Sequence, residues 1–64
     1  MSGVYAISAT VRKDMRSATL PTFYLDCNTF GLRKPTDARA VAEKILDPFD
    51  EGHELLMTIS HLDF

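Results

Sequence analysis

From Val4 to Lys13 the chain alternates, with Tyr5, Ile7, Ala9 and Val11 on one parity and Val4, Ala6, Ser8 and Thr10 on the other. That period of two predicts a β-strand with two distinct faces. The polar stretch Asp14-Met15-Arg16-Ser17 then reads as the loop of a hairpin, leading into a second strand over Thr19 to Asp26 in which Phe23 and Leu25 share a face. Pro21 has no amide hydrogen, so this second strand is expected at a sheet edge or with a bulge. After a connection from Cys27 to Pro35, Ala38, Val41, Ala42 and Ile45 recur at helical spacing, while Asp37, Arg39, Glu43 and Lys44 fall mainly on the other side. Thr36 is the expected N-cap and Asp37 suits the positive end of the helix dipole. The Asp47-Pro48 step is expected to end the helix near Leu46, leaving Phe49 to fold over its end. From Glu54 to Leu62 alternation returns, with Leu55, Met57 and Ile59 on one parity and Leu56, Thr58, Ser60 and Leu62 on the other.

The order β-β-α-β bounds the layout. A hairpin makes the first two strands antiparallel, and a right-handed crossover through the helix sets the third strand beside the first. The expected fold is therefore α+β: a single domain over residues 1–64, its three-stranded, mainly antiparallel sheet in spatial order 2-1-3. One helix covers the face of Tyr5, Ile7, Ala9, Val11, Phe23, Leu25, Leu55, Met57 and Ile59.

Size gives the opposite face its interest. The chain has 64 residues, 45% hydrophobic and 25% charged, which is ordinary globular composition rather than that of a disordered segment. A domain of this length buries only about 60% of the surface its unfolded chain exposes, so its core leaves a thin margin. Cys27 is the only cysteine, so no disulfide can form within the chain, and Cys27, His53 and His61 are too few for a structural zinc site. Association is the remaining support. The uncovered face carries Ala6, Ser8, Thr10, Leu20, Tyr24, Leu56, Thr58 and Leu62, together with Val4, Thr22 and Ser60, where a solvated sheet would normally display Lys and Glu. Two readings stand side by side: an interface for a second copy or another protein, or small hydroxylated side chains that tolerate water.

Other chemistry is thinner. Cys27 has only His61 as a plausible companion, because His53 belongs to the opposite end of the sheet, and a domain of this size has little room for a cleft. Neither catalytic residues, a cofactor nor a metal site is expected. With seven Lys and Arg against nine Asp and Glu, the net charge is −2. Arg12, Lys13 and Arg16 form a basic hairpin tip that could meet a phosphate. Acidic residues at the same end argue against a continuous nucleic-acid track, so a small nucleic-acid-binding regulator is the alternative reading. No apolar run reaches the ~20 residues of a membrane helix. The start Met1-Ser2-Gly3-Val4 has no signal-peptide pattern, and a cytoplasmic location is expected.

The run Thr22-Phe23-Tyr24-Leu25-Asp26, then Gly31, then Asp37-Ala38-Arg39-Ala40-Val41-Ala42-Glu43-Lys44-Ile45 and the Asp47-Pro48 turn resemble short proteins encoded by tailed phages of mycobacteria and related actinobacteria. Where such relatives often have Val-Gln before the glycine, this chain has Thr29-Phe30. No assigned activity comes with the resemblance. It implies a small viral accessory protein made in the host cytoplasm that binds a host or phage protein.

Overall fold

A computed structural model describes residues 3–63. The chain is an α+β domain in which strand β1 (Val4–Lys13) forms the middle of an antiparallel sheet. Along one side of β1 run β2 (Arg16–Thr19) and β3 (Phe23–Asp26), and along the other runs β4 (Glu54–Leu62). The expected 2-1-3 order holds, with the second strand divided in two. Between β3 and β4 lie a short helical turn, α1 (Cys27–Phe30), and the main helix, α2 (Pro35–Asp50), which packs on β1 and β4.

The division of the second strand is a bulge. Thr10 pairs with Thr19 and Ile7 with Phe23, so two residues of β1 face three on the partner strand, Leu20, Pro21 and Thr22. Leu20 still donates its amide hydrogen to the Ala9 carbonyl at 2.9 Å, while Pro21 has none to donate. The inserted residue reverses the parity of the strand. Leu20, expected on the open face, therefore turns to the helix side and packs against the core. The hairpin loop is also tighter than expected: Lys13 pairs with Arg16, leaving a two-residue turn at Asp14-Met15, with Asp14 at φ 58°.

The helix starts earlier and ends later than its sequence signals suggest. Lys34, in extended conformation, precedes Pro35, whose fixed φ suits the first helical position. The Asp37 carboxylate accepts the amide hydrogens of Arg33 at 3.0 Å and Lys34 at 3.2 Å, so Thr36 lies inside the first turn and is not the cap. At the other end α2 continues through Pro48 to Asp50. Proline's φ is already helical, and in the last turn the break forfeits only the bond to the Lys44 carbonyl. Phe49 is accordingly a helical residue that stays about half exposed.

Among the described residues the buried core comprises Tyr5, Ile7, Ala9, Leu25, Cys27, Leu32, Ala38, Ala42 and Leu46, ringed by half-buried Leu20, Phe23, Val41, Leu55, Met57 and Ile59. On α2 the buried stripe is Ala38-Ala42-Leu46, and Ile45, expected on the packing face, is instead 47% exposed. One helix on a twisted sheet cannot cover all of it. The principal extents are 39 × 18 × 14 Å and the radius of gyration is 12.4 Å, against roughly 10.7 Å for a compact chain of this length. The excess lies in the long β1 strand and the β1-β2 hairpin, where every residue of β2 is exposed.

The turn after β3 carries the clearest electrostatic lock. Asp26 caps α1, accepting the Thr29 hydroxyl at 2.6 Å and its amide at 3.3 Å. The hydroxyl bond, the largest influence, outweighs burial and holds the Asp26 carboxyl below the usual aspartate range. A carboxyl lowered on folding contributes stability above its unfolded pKa and loses it as pH falls through the folded value. The melting temperatures of wild type and Asp26→Ala are thus expected to differ at pH 7 and to converge below the ordinary aspartate range. A gap that stays constant from pH 7 to pH 2 would show that the carboxylate is not the source.

Candidate interaction surface

Registers on both sides of β1 fix the open face row by row. Leu62, Val4 and Asp26 form one end, followed by Ser60, Ala6 and Tyr24. Thr58 and Ser8 come next, with the Ser8 hydroxyl 3.2 Å from that of Thr22 across the bulge. Leu56, Thr10 and Thr19 form the fourth row, and Glu54, Arg12 and Ser17 the last. Charge is confined to the two ends. At one, Asp26 is occupied by its cap; at the other, the Arg12 guanidinium donates to Glu54 Oε2 at 3.0 and 2.6 Å. The three rows between them carry no ionisable side chain except the Tyr24 phenol. Tyr24 is 60% exposed, Leu56 47% and Leu62 42%.

The structure thus places Ala6, Ser8, Thr10, Tyr24, Leu56, Thr58 and Leu62 on one surface and removes Leu20 from it. Sequence parity missed this because a period of two cannot show a single inserted residue; Pro21 marked where the insertion would fall.

Backbone register divides the basic tip between the two faces, although Arg12 and Lys13 line one shallow depression at the hairpin end with Asp14, Gly52, His53 and Glu54. Arg12 lies on the open face in its pair with Glu54, whereas Lys13 and Arg16 face each other on the helix side. Lys13 and Arg16 share a shallow depression of about 360 Å³ with Val11, Ser17, Ala18 and His53. The His53 Nδ1 lies 3.0 Å from the Glu51 carbonyl oxygen.

Cys27 is buried at the first position of α1. Burial first, and then the neighbouring Cys27 and Asp37, raise the Tyr5 phenol above the usual tyrosine range. His61 sits opposite Tyr5, with ring centroids 4.9 Å apart. Among the described residues no three His, Cys, Asp or Glu side chains converge on a common point, and no helix is long and apolar enough to cross a membrane. Phe64 lies outside the described residues, as do Met1 and Ser2. No protein-family model, curated protein or solved structure matches this chain.

Proposed function

We propose that this chain is a non-enzymatic protein-protein interaction module, a small phage accessory protein of the host cytoplasm that self-associates or docks on a host protein through its open sheet face. The observation that carries the reading is the band of uncharged rows between Asp26 and the Arg12-Glu54 pair, with Tyr24 and Leu56 standing half exposed from it. A sheet face built for water alone has no reason to exclude charge from its centre, and the small core gives the domain a reason to gain from covering it. Nucleic-acid binding is not favoured, since Arg12 is committed to Glu54 and Lys13 and Arg16 project from the other face.

The test places charge in the centre of the band. A Ser8→Glu, Tyr24→Glu variant is expected to keep its far-ultraviolet circular dichroism and to weaken association through this face by tenfold or more, on the order of the cost of burying unpaired carboxylates. Sedimentation profiles and partner capture identical to those of the wild type would overturn the reading.

A further inference from the structure

We infer that the free edge of β4 is a homodimerisation site, at which a second copy of this chain adds its own β4 antiparallel across a two-fold axis at Thr58. The two edges of the sheet are built differently. The β2-β3 edge is interrupted by a bulge and by Pro21, and each of its strands has only four residues. Such devices block pairing with another chain. In contrast, β4 keeps unbroken register with β1 over nine pairs and contains no Pro, Gly or Lys. Among the described residues its outer side meets no other strand.

Backbone alternation identifies the groups on that edge. The Gly3 and Ala9 carbonyls accept hydrogen bonds from Cys27 and Leu20, so odd residues of β1 point toward β2 and β3 and even ones toward β4. Their partners Leu56, Thr58 and Ser60 therefore point inward. The amides and carbonyls of Leu55, Met57 and Ile59 point outward.

Antiparallel pairing of two such edges requires odd residues to meet odd residues. The axis at Thr58 pairs all nine positions of β4: Thr58 meets itself, Met57 meets Ile59, Leu56 meets Ser60, Leu55 meets His61 and Glu54 meets Leu62. Moving the axis by one residue either way leaves two positions unpaired at the ends.

Side chains also fall together in this arrangement. Leu55 and Met57 line a groove of about 320 Å³ with the α2 residues Arg39, Glu43, Asp47 and Asp50. Arg39 and Glu43 pair with each other, leaving Asp47 and Asp50 as the groove's remaining carboxylates. The second copy's Ile59 and His61 fall beside Met57 and Leu55, setting an apolar side chain and an imidazole against that groove. The dimer has one sheet six strands wide and a continuous open face, and its formation does not depend on what that face binds.

At 64 residues the chain is accessible to total synthesis, so the edge can be tested atom by atom. Wild type is expected to sediment at twice the 7.2 kDa chain mass. N-methylation of the Ile59 amide removes one outward donor from each copy and leaves every side chain in place. It is expected to raise the dissociation constant about 10- to 100-fold. A Tyr24→Glu variant, altered on β3 with β1 between it and β4, is expected to remain dimeric, which separates the edge from the face. As a measurement on the unmodified chain, the Met57 and Ile59 amides are expected to lose exchange protection on dilution while the Thr58 amide keeps it. A wild type that stays monomeric up to about 1 mM would overturn the inference and leave a strand of another protein as the occupant. A dimer that tolerates N-methyl-Ile59, or whose Met57 and Ile59 amides exchange freely, would also overturn it.

Discussion

Replacing Ile7 by alanine is expected to remove much of the domain's stability. Ile7 is fully buried in the middle strand, directly between Phe23 on β3 and Ile59 on β4. Truncating a buried isoleucine costs about 2–5 kcal/mol, because the lost transfer energy is joined by the cavity left behind. A domain of this length has about 3–10 kcal/mol in total at the usual stability per residue. Three of the surrounding core residues, Ala9, Ala38 and Ala42, are already small, so no long side chain in that group can relax into the space. Urea denaturation is expected to show a sharply lower midpoint with an unchanged slope, or no folded baseline at all. If β4 pairs with a second copy, the variant also becomes more sensitive to dilution, since association stabilises only the folded state. A stability loss no larger than that of Ile7→Val, about 0.5–1.5 kcal/mol, would mean the core is less closely packed here than its burial implies.

How much of this was legible in the sequence depended on whether a signal was periodic or local. Alternation in Val4–Lys13 and Glu54–Leu62 and the 3.6-residue stripe on the helix carried the α+β class, the strand order and most of the open face, because each rests on many residues agreeing. Single-residue signals fared differently. Pro21 pointed to an edge or bulge, but parity could not show that the extra residue turns Leu20 inward. Thr36 looked like a cap because Ser and Thr usually are; Asp37, one residue later, captured the two amides first. Pro48 looked like a stop, yet in the last turn it costs only one hydrogen bond. At the candidate site, the pairing of Arg12 with Glu54 joins residues 42 positions apart and could be read only from the β1-β4 register.

That register also changes where support for the small core is to be sought. The open face offers area without charge, and the β4 edge offers backbone groups without partners in the ladder. The two meet along Leu56, Thr58 and Ser60, whose side chains belong to the face while their strand forms the edge. Association along β4 extends the face without covering it, so both surfaces can act in one assembly.

The end of that strand rests on Gly3, and Gly3→Ala is expected to be the other severely damaging substitution. Gly3 adopts φ 93°, where an L side chain is strained at roughly 1–3 kcal/mol. Space is the harder limit. A Cβ there would sit inside van der Waals contact with the Leu62 carbonyl oxygen and 3.0 Å from the Asp63 Cα, both backbone atoms that cannot rotate aside. Relief would require opening the Val4-Leu62 pair at the end of β4 or moving the Gly3 carbonyl away from the Cys27 amide that it accepts at 3.1 Å. Either movement loosens the sheet end on which Asp26 caps the next turn. Gly3→Asn separates the two causes, because asparagine tolerates positive φ better than alanine but carries the same Cβ. Both variants are expected to melt well below the wild type, with the asparagine regaining little. Near-native melting of Gly3→Asn would assign the requirement to the dihedral angle alone and not to the close approach of β4.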